Sequence, residues 1–142
     1  FLSYSLTYSY SCMTYFAHII EETQRNAHFR KVLFTGAQSQ LVVMTIPPGT
    51  EVGEETHDHV EQTLFFESGS GEAHLDGEIQ PVTAGDVVVV TPGVRHNFLN
   101  TGSTPLRIFT VYAPANHIDG RVHETKVDAD HDEEDEAFGH RA

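Results

Sequence analysis

Short runs of alternating apolar and polar residues fill the middle of the chain, with glycine, proline and asparagine between them. Side chains two apart on a strand share a face, so this alternation predicts half-buried strands. We predict strands over residues 30–35, 40–46, 56–60, 63–67, 72–75, 80–83, 87–90, 96–100 and 107–112. Many short strands at this spacing predict a sandwich or a barrel.

The regions before and between these runs add a turn, a helix and a further strand. Asp76–Gly77 stands between two runs and is typical of a two-residue hairpin turn. Residues 18–24 predict one or two turns of helix. Residues 1–12 alternate Leu or Tyr with Ser or Thr, which predicts an added strand; the alternative is that the natural chain starts at Met13.

Charge and composition limit the partners. The chain of 142 residues has a formal net charge of −13, which argues against nucleic acid or an anionic membrane as partner. About half of this charge lies in residues 128–136, and residues 129–142 have so little to bury that we expect a flexible acidic tail. The single cysteine, Cys12, excludes an internal disulfide and is compatible with a cytoplasmic protein.

We therefore divide the chain into three parts. Residues 1–28 are an N-terminal extension, residues 29–114 form the barrel, and residues 115–142 form a C-terminal segment that ends in the acidic tail.

Two runs concentrate side chains that bind divalent metal ions. The first, from Gly49 to Gly69, and the second, from Gly85 to Asn100, together contain Glu55, His57, His59, Gln62 and His96. Neutral imidazole, carboxylate and amide oxygen are all suitable donors. We expect an apolar wall around them that excludes water, made of Leu64, Phe66, Val88, Val90, Phe98, Phe109 and Tyr112.

The two runs resemble the paired motifs of the cupin superfamily. The second family motif runs glycine, five residues, Pro-x-Gly, two residues, His, three residues, Asn. The chain matches it from Gly85 through Gly93 and His96 to Asn100, except that Thr91 stands at the proline position. The resemblance covers about residues 29–113. It implies an all-β fold, an antiparallel double-stranded jelly-roll barrel, that holds one divalent metal ion.

The first motif fits in two registers. One register takes His57 and His59 as the histidine pair, but then Gln62 comes one residue early and the upstream glycine is missing. The other places Glu55 at the first histidine and fits every gap from Gly49 to Gly69. We favour the second register, which implies the metal ligands Glu55, His57, Gln62 and His96 and keeps His59 as an alternate ligand.

The resemblance implies function only in outline. Residues 112–123 resemble the closing segment of small cupins that are like mannose-6-phosphate isomerase, which favours an isomerase-like enzyme acting on a sugar or sugar derivative. The alternatives are an iron-dependent dioxygenase and a non-enzymatic module that binds or senses a small ligand. We expect a small-molecule partner, a homodimer, and zinc, manganese, iron or nickel as the metal. The nearby cations for a phosphorylated substrate are Arg95, Arg107 and Arg121.

Overall fold

The computed structural model of the chain describes residues 14–141. The strand expected within residues 1–12 and the single Cys12 lie outside the described residues. In chain order the elements are α1 (Ile19–Arg25), β1 (Arg30–Thr35), β2 (Gln40–Ile46), β3 (Glu61–Ser68), β4 (Ser70–Leu75), β5 (Glu78–Thr83), β6 (Val87–Val90), β7 (His96–Leu99), β8 (Leu106–Ala113), β9 (Val122–His123), α2 (Lys126–Asp130) and α3 (Glu133–Gly139). Across residues 14–141, no helix combines the length and apolar character needed to cross a membrane.

The strands form two antiparallel sheets. One sheet has six strands in the order β6-β3-β8-β2-β1-β9, and the other has three in the order β5-β4-β7. Strands that are neighbours in space, such as β3 and β8, are distant in the chain. This crossing between sheets is the jelly-roll arrangement that was predicted.

The core lies between the two sheets and follows from the alternation along the strands. On β8, for example, Leu106, Ile108, Thr110 and Tyr112 are buried, while the residues between them are half-buried. Phe66 and Phe98 come from opposite sheets, are almost fully buried and have ring centroids 5.9 Å apart. Burial of an aromatic side chain of this size contributes roughly 1.5–3 kcal/mol to folding.

Most of the predicted elements are confirmed. The strands over residues 30–35, 40–46 and 87–90 agree with the structure residue for residue, and α1 lies within one residue of the predicted helix. The hairpin turn is confirmed too: Leu75 pairs with Glu78, and Asp76 and Gly77 have φ angles of 51° and 88°. Positive φ at both central residues is what this tight turn requires.

Two expectations about strands and their faces were wrong. Residues 56–60 form no strand, because the chain bends at Asp58 and His59 before β3 begins at Glu61. Phe109 does not belong to the wall that contains Tyr112. The two residues are three apart on β8, so they face opposite sides, and Phe109 stacks on Phe65 with centroids 4.8 Å apart.

The structure also corrects the expectation of a flexible acidic tail. Residues 126–139 form helices α2 and α3. Thr125 caps α2 in a capping box with Asp128, and Asp132 caps α3 by accepting from the Asp135 backbone N–H. Acidic residues in the first turn of α3 also interact favourably with the positive end of the helix dipole, which lies at the N-terminus of the helix. The acidic side chains of the tail that we expected to be flexible therefore stabilise the helix ends.

Asn100, the last residue of the second motif, holds two loops together, and its replacement tests this. Its Nδ2 donates to the carbonyls of Ile46 and Thr104 at 2.8 Å each, and its Oδ1 accepts from the Gly102 N–H at 2.9 Å. Because the side chain is buried, we expect Asn100→Ala to lower the free energy of unfolding by about 2–4 kcal/mol. Urea unfolding followed by circular dichroism measures this. The exposed Ser103→Ala is the control, and an equal effect of both would contradict this role.

Candidate functional site

The two motif segments meet through a backbone pair between Glu55 and His96. The Glu55 N–H donates to the His96 carbonyl at 2.9 Å, and the His96 N–H donates to the Glu55 carbonyl at 2.9 Å. Residues that exchange both hydrogen bonds in an antiparallel pair have their side chains on the same face. Glu55 and His96 therefore stand opposite each other on one face, as the favoured register requires.

His96 is held with one ring nitrogen free to bind a ligand. The ring is buried, and its Nδ1 lies 2.9 Å from the carbonyl of Val94. Since a carbonyl can only accept, Nδ1–H is the donor, and in the neutral ring this leaves the lone pair on Nε2. This arrangement, in which the far nitrogen is anchored by a backbone carbonyl, is typical of histidines that ligate metals.

His57 and Gln62 complete the group on the barrel side. Both are buried, and the ring of His57 lies 5.1 Å from that of His96, centroid to centroid. The Nε2 of Gln62 donates to the hydroxyl of Thr110 at 3.2 Å. That bond uses the amide nitrogen and leaves the amide oxygen as a donor of lone pairs. The structure thus places Glu55 opposite His96 and the ring of His57 beside that of His96, while Gln62 bonds to Thr110. The ligand atoms of Glu55, His57 and His96 do not all lie within 4.8 Å of one another.

His59 lies apart from this group. The expected strand would have placed it on the same face as His57, but the bend at residues 58–59 turns it outward, and it is exposed. The backbone carbonyl of His57 accepts from the Gly93 N–H at 2.8 Å, which anchors His57 against the second motif. His59 lies two residues further on and is exposed to solvent. The geometry favours the register that uses Glu55.

Burial sets the protonation of the groups in this region. Burial, followed by the neighbouring His96, lowers the pKa of His57 to about 4, so its imidazole is neutral near pH 7. Burial likewise raises the pKa of the Tyr112 phenol to about 12. The ring of Tyr112 lies edge-on to His57, with centroids 6.3 Å apart. A neutral imidazole is the form that binds metal.

A polar cavity of about 30 Å³ opens beside Glu55 and His57. The barrel supplies one side of it, and the segment after β8 together with α2 and α3 supplies the other. The lining residues are Arg30, Glu55, His57, Asn116, His117, Ala129, Asp135, Glu136, Gly139 and His140. The C-terminal segment therefore covers the candidate site.

Arg30 and His117 line the cavity, although neither was among the site residues predicted from the sequence. His117 is buried beside Tyr112, and its Nδ1 lies 2.7 Å from Asp135 Oδ2. Arg30 is buried on β1 on the same face as Val32. A charged residue on the apolar face of a predicted strand was the available signal for Arg30. No local pattern connects His117 with Asp135, because their pairing depends on how the tail folds.

The arginines considered for a phosphorylated substrate are engaged elsewhere. Arg95 is exposed and lies 3.7 Å from Glu54, and Arg107 donates to the carbonyl of Asn26 at 2.8 Å. Arg121 makes two hydrogen bonds to Asp132, at 2.7 and 3.1 Å. Of these three, none lines the cavity.

A second cluster of metal-binding residue types lies behind the cavity. Within residues 14–141, His123, Asp132 and Asp135 form the group of three whose ligand atoms lie within 4.8 Å of one another. The side-chain atoms that could bind a metal are already engaged in hydrogen bonds. Asp132 accepts from Arg121 and from His123 Nε2, the latter at 2.9 Å. Asp135 accepts from His117 and from the Ile118 N–H. The structure thus shows a hydrogen-bonded ion-pair network here.

Comparison with known proteins identifies the family. Residues 42–112 match the model of the cupin domain, which is half of the chain. The chain belongs to the cupin family. It is 38% identical to the uncharacterized protein YrkC of Bacillus subtilis over 127 residues, or 84% of this chain and 68% of YrkC.

A solved structure and a second relative add to this comparison. The crystal structure of BH2720 from Bacillus halodurans has a TM-score of 0.80 and 36% identity, covering 81% of this chain and 92% of that one. An oxalate-binding protein from Thermotoga maritima is 35% identical over 68 residues, or 48% of this cupin and 56% of that protein. The predicted antiparallel cupin barrel is confirmed.

The neutral state of His57 predicts acid sensitivity of the metal-free protein. The unfolded chain has a histidine pKa near 6.5, so between about pH 6.5 and 4 the unfolded state binds more protons than the folded state. The free energy of unfolding therefore decreases as the pH is lowered. From pH 7 to pH 5 this group accounts for a loss of about 2 kcal/mol. His57→Gln removes the group, so urea unfolding with chelator present should show a smaller loss by that amount. An unchanged loss would contradict the shifted pKa.

Proposed function

We propose that this cupin binds one divalent metal ion at the mouth of its barrel through Glu55, His57, Gln62 and His96, and uses it to hold or transform a small polar molecule. The observation that carries the proposal is the state of His96. Its proton is fixed on Nδ1 by the Val94 carbonyl, so that Nε2 offers a lone pair beside His57 and Glu55.

The chemistry of this donor set fits zinc, manganese, iron or nickel, because it combines imidazole nitrogen with carboxylate and amide oxygen. A bound metal would polarise a carbonyl or hydroxyl group of the ligand. Two imidazoles and one carboxylate are also the set used by non-haem iron oxygenases, so an iron-dependent dioxygenase is the second candidate. Iron content together with oxygen consumption would distinguish it from an isomerase-like enzyme and from a non-enzymatic ligand-binding protein.

The size of the cavity favours a very small ligand. About 30 Å³ holds roughly two water molecules, which is much less than a sugar. A sugar isomerase would need α2 and α3 to move away, so the isomerase-like assignment stays a prediction. The relation to an oxalate-binding protein supports a small polar or anionic ligand instead. A cytoplasmic location also stays a prediction and rests on the single cysteine.

Metal analysis of barrel variants tests the proposal. Protein made without a histidine tag, loaded with zinc and dialysed, should contain about one metal ion per chain by mass spectrometry. The double variant His57→Ala, His96→Ala should lose most of this metal, because two of the four donors are missing. Circular dichroism of the variant checks that it is folded.

Two matched variants complete the metal experiment. The exposed His59→Ala should keep its metal, which separates the two registers of the first motif. Asp132→Asn should also keep its metal, since this residue belongs to the ion-pair network behind the cavity. Full metal content in the double variant, or loss in Asp132→Asn alone, would overturn the proposed site.

We also propose a homodimer that forms through the edge of the six-stranded sheet. Strand β6 is at that edge, and Val87 and Val89 are 53% and 54% exposed on its outer face. An exposed apolar edge strand favours pairing with another chain. Light scattering should give a dimer mass for the natural sequence and a monomer mass for Val89→Asp, with the exposed Gln80→Asp as control. A monomeric natural protein would contradict this proposal.

A further inference from the structure

The buried polar side-chain atoms that lack a hydrogen-bond partner share one location. Among residues 14–141 these atoms are Arg30 Nε, Asn116 Oδ1 and His117 Nε2. All three residues line the cavity beside Glu55 and His57. Buried polar atoms are normally paired, and leaving one unpaired costs about 1–3 kcal/mol. Unpaired atoms gathered around one cavity indicate a polar occupant that pairs with them.

Arg30 indicates that this occupant is negatively charged. Only 7% of Arg30 is exposed, and it forms no salt bridge with a carboxylate of residues 14–141. Its Nη1 lies 3.4 Å from Nδ1 of His123, whose Nε2 is bonded to Asp132, so an imidazole separates the guanidinium from that carboxylate. A buried cation without an anion beside it is costly. An anionic oxygen in the cavity would supply the missing partner.

The carboxylates at the cavity wall do not fill this role. Asp135 is held by His117 and the Ile118 N–H, and Glu136 lies 2.7 Å from Nε2 of His140. Glu55 belongs to the proposed metal site. Once a divalent ion neutralises Glu55, the positive charge of Arg30 is left without a counterion, and this favours an anionic ligand.

His117 requires a different group on the same ligand. Its Nδ1–H donates to Asp135, which leaves a lone pair on the buried Nε2. Burial, followed by the charge of Arg30, lowers the pKa of His117 and keeps the imidazole neutral. Asn116 Oδ1 is an acceptor as well. The cavity therefore offers one charged donor and two acceptors, so the ligand must both accept and donate hydrogen bonds.

We propose that the ligand of this site is a small carboxylate that also carries a hydroxyl group, with its carboxylate accepting from Arg30 and its hydroxyl donating to His117. The inference names the ligand class of the metal site proposed above and rests on that site. The small cavity disfavours large ligands, so glycolate is a suitable probe and acetate is the matched compound without the hydroxyl; binding of either requires the cavity to widen beyond about 30 Å³.

Nuclear magnetic resonance titration of the zinc-loaded, full-length protein tests the proposal, with backbone amide shifts of the cavity residues giving the affinity of the natural sequence and of every variant. The arginine Nε–H signal that disappears in Arg30→Met identifies Arg30, and glycolate should shift it. Because one neutral hydrogen bond is at stake, glycolate should bind about 2–10 times more tightly than acetate. Arg30→Met should weaken both ligands about tenfold or more, because it removes the charged donor.

The variant His117→Asn tests the hydroxyl contact. Asparagine can keep the bond to Asp135 but lacks a counterpart of Nε2, so the preference for glycolate over acetate should disappear while acetate binds as before. Arg107→Met, in which the replaced arginine lies outside the cavity, is the control and should bind both ligands normally.

Three results would overturn the ligand assignment: no binding of glycolate, equal binding of glycolate and acetate by the natural sequence, or unchanged binding in Arg30→Met. Metal content measured on the same samples reports separately on the proposed metal site. Glycolate binding that depends on Arg30 and His117 without bound zinc would support the ligand assignment and contradict the metal site.

Discussion

The two backbone hydrogen bonds between Glu55 and His96 are the contact on which the candidate site depends. They attach residues 51–55 to β7, which is the edge strand of the smaller sheet. The two motif segments, distant in the chain, thereby present side chains to the same space. Because only backbone atoms pair, the side chain at position 55 is free to differ. A glutamate can stand where the family motif has a histidine without moving its neighbours.

The mouth of the barrel is polar although its floor is apolar, and this contrast controls the chemistry. Phe66 and Phe98 close the core, and the buried side chains of Gln62 and His57 lie toward the open end. Burying polar groups opposes folding unless they are paired, so real proteins keep them mainly where function needs them. Low solvent access keeps His57 neutral and keeps the lone pairs of the site available.

The barrel could be predicted from the sequence because its information is local. Alternation located β1, β2 and β6 to the residue, and Asp76–Gly77 fixed the hairpin between β4 and β5. Motif spacing also predicted a metal site of Glu55, His57, Gln62 and His96, and that site stays a prediction. The same alternation failed at residues 56–60, where the chain bends at Asp58 and His59 and forms no strand. Period alone does not distinguish a short strand from an extended loop that turns.

The covering segment could not be predicted, because its structure depends on contacts between distant polar residues. Composition suggested that the acidic tail had nothing to bury, yet Asp135 is 5% exposed and pairs with His117. Asp132 similarly binds Arg121 and His123. Pairings of this kind have no period and no fixed spacing. Arg30 was recognisable in principle, since it stands on the apolar face of β1, but its cavity exists only once α3 is in place.

The barrel and the C-terminal segment contribute different groups to the candidate site, and this has a consequence for how related proteins can diverge. The metal donors that we propose lie within residues 55–96, whereas Asn116, His117 and Asp135 come from the segment that follows β8. On this proposal, changes after Ala113 would alter ligand recognition and would leave the proposed metal donors in place. Exchanging this terminal segment between related barrels would then transfer ligand selectivity from one to the other. A fusion partner attached to the C-terminus would affect ligand selectivity before it affected the barrel.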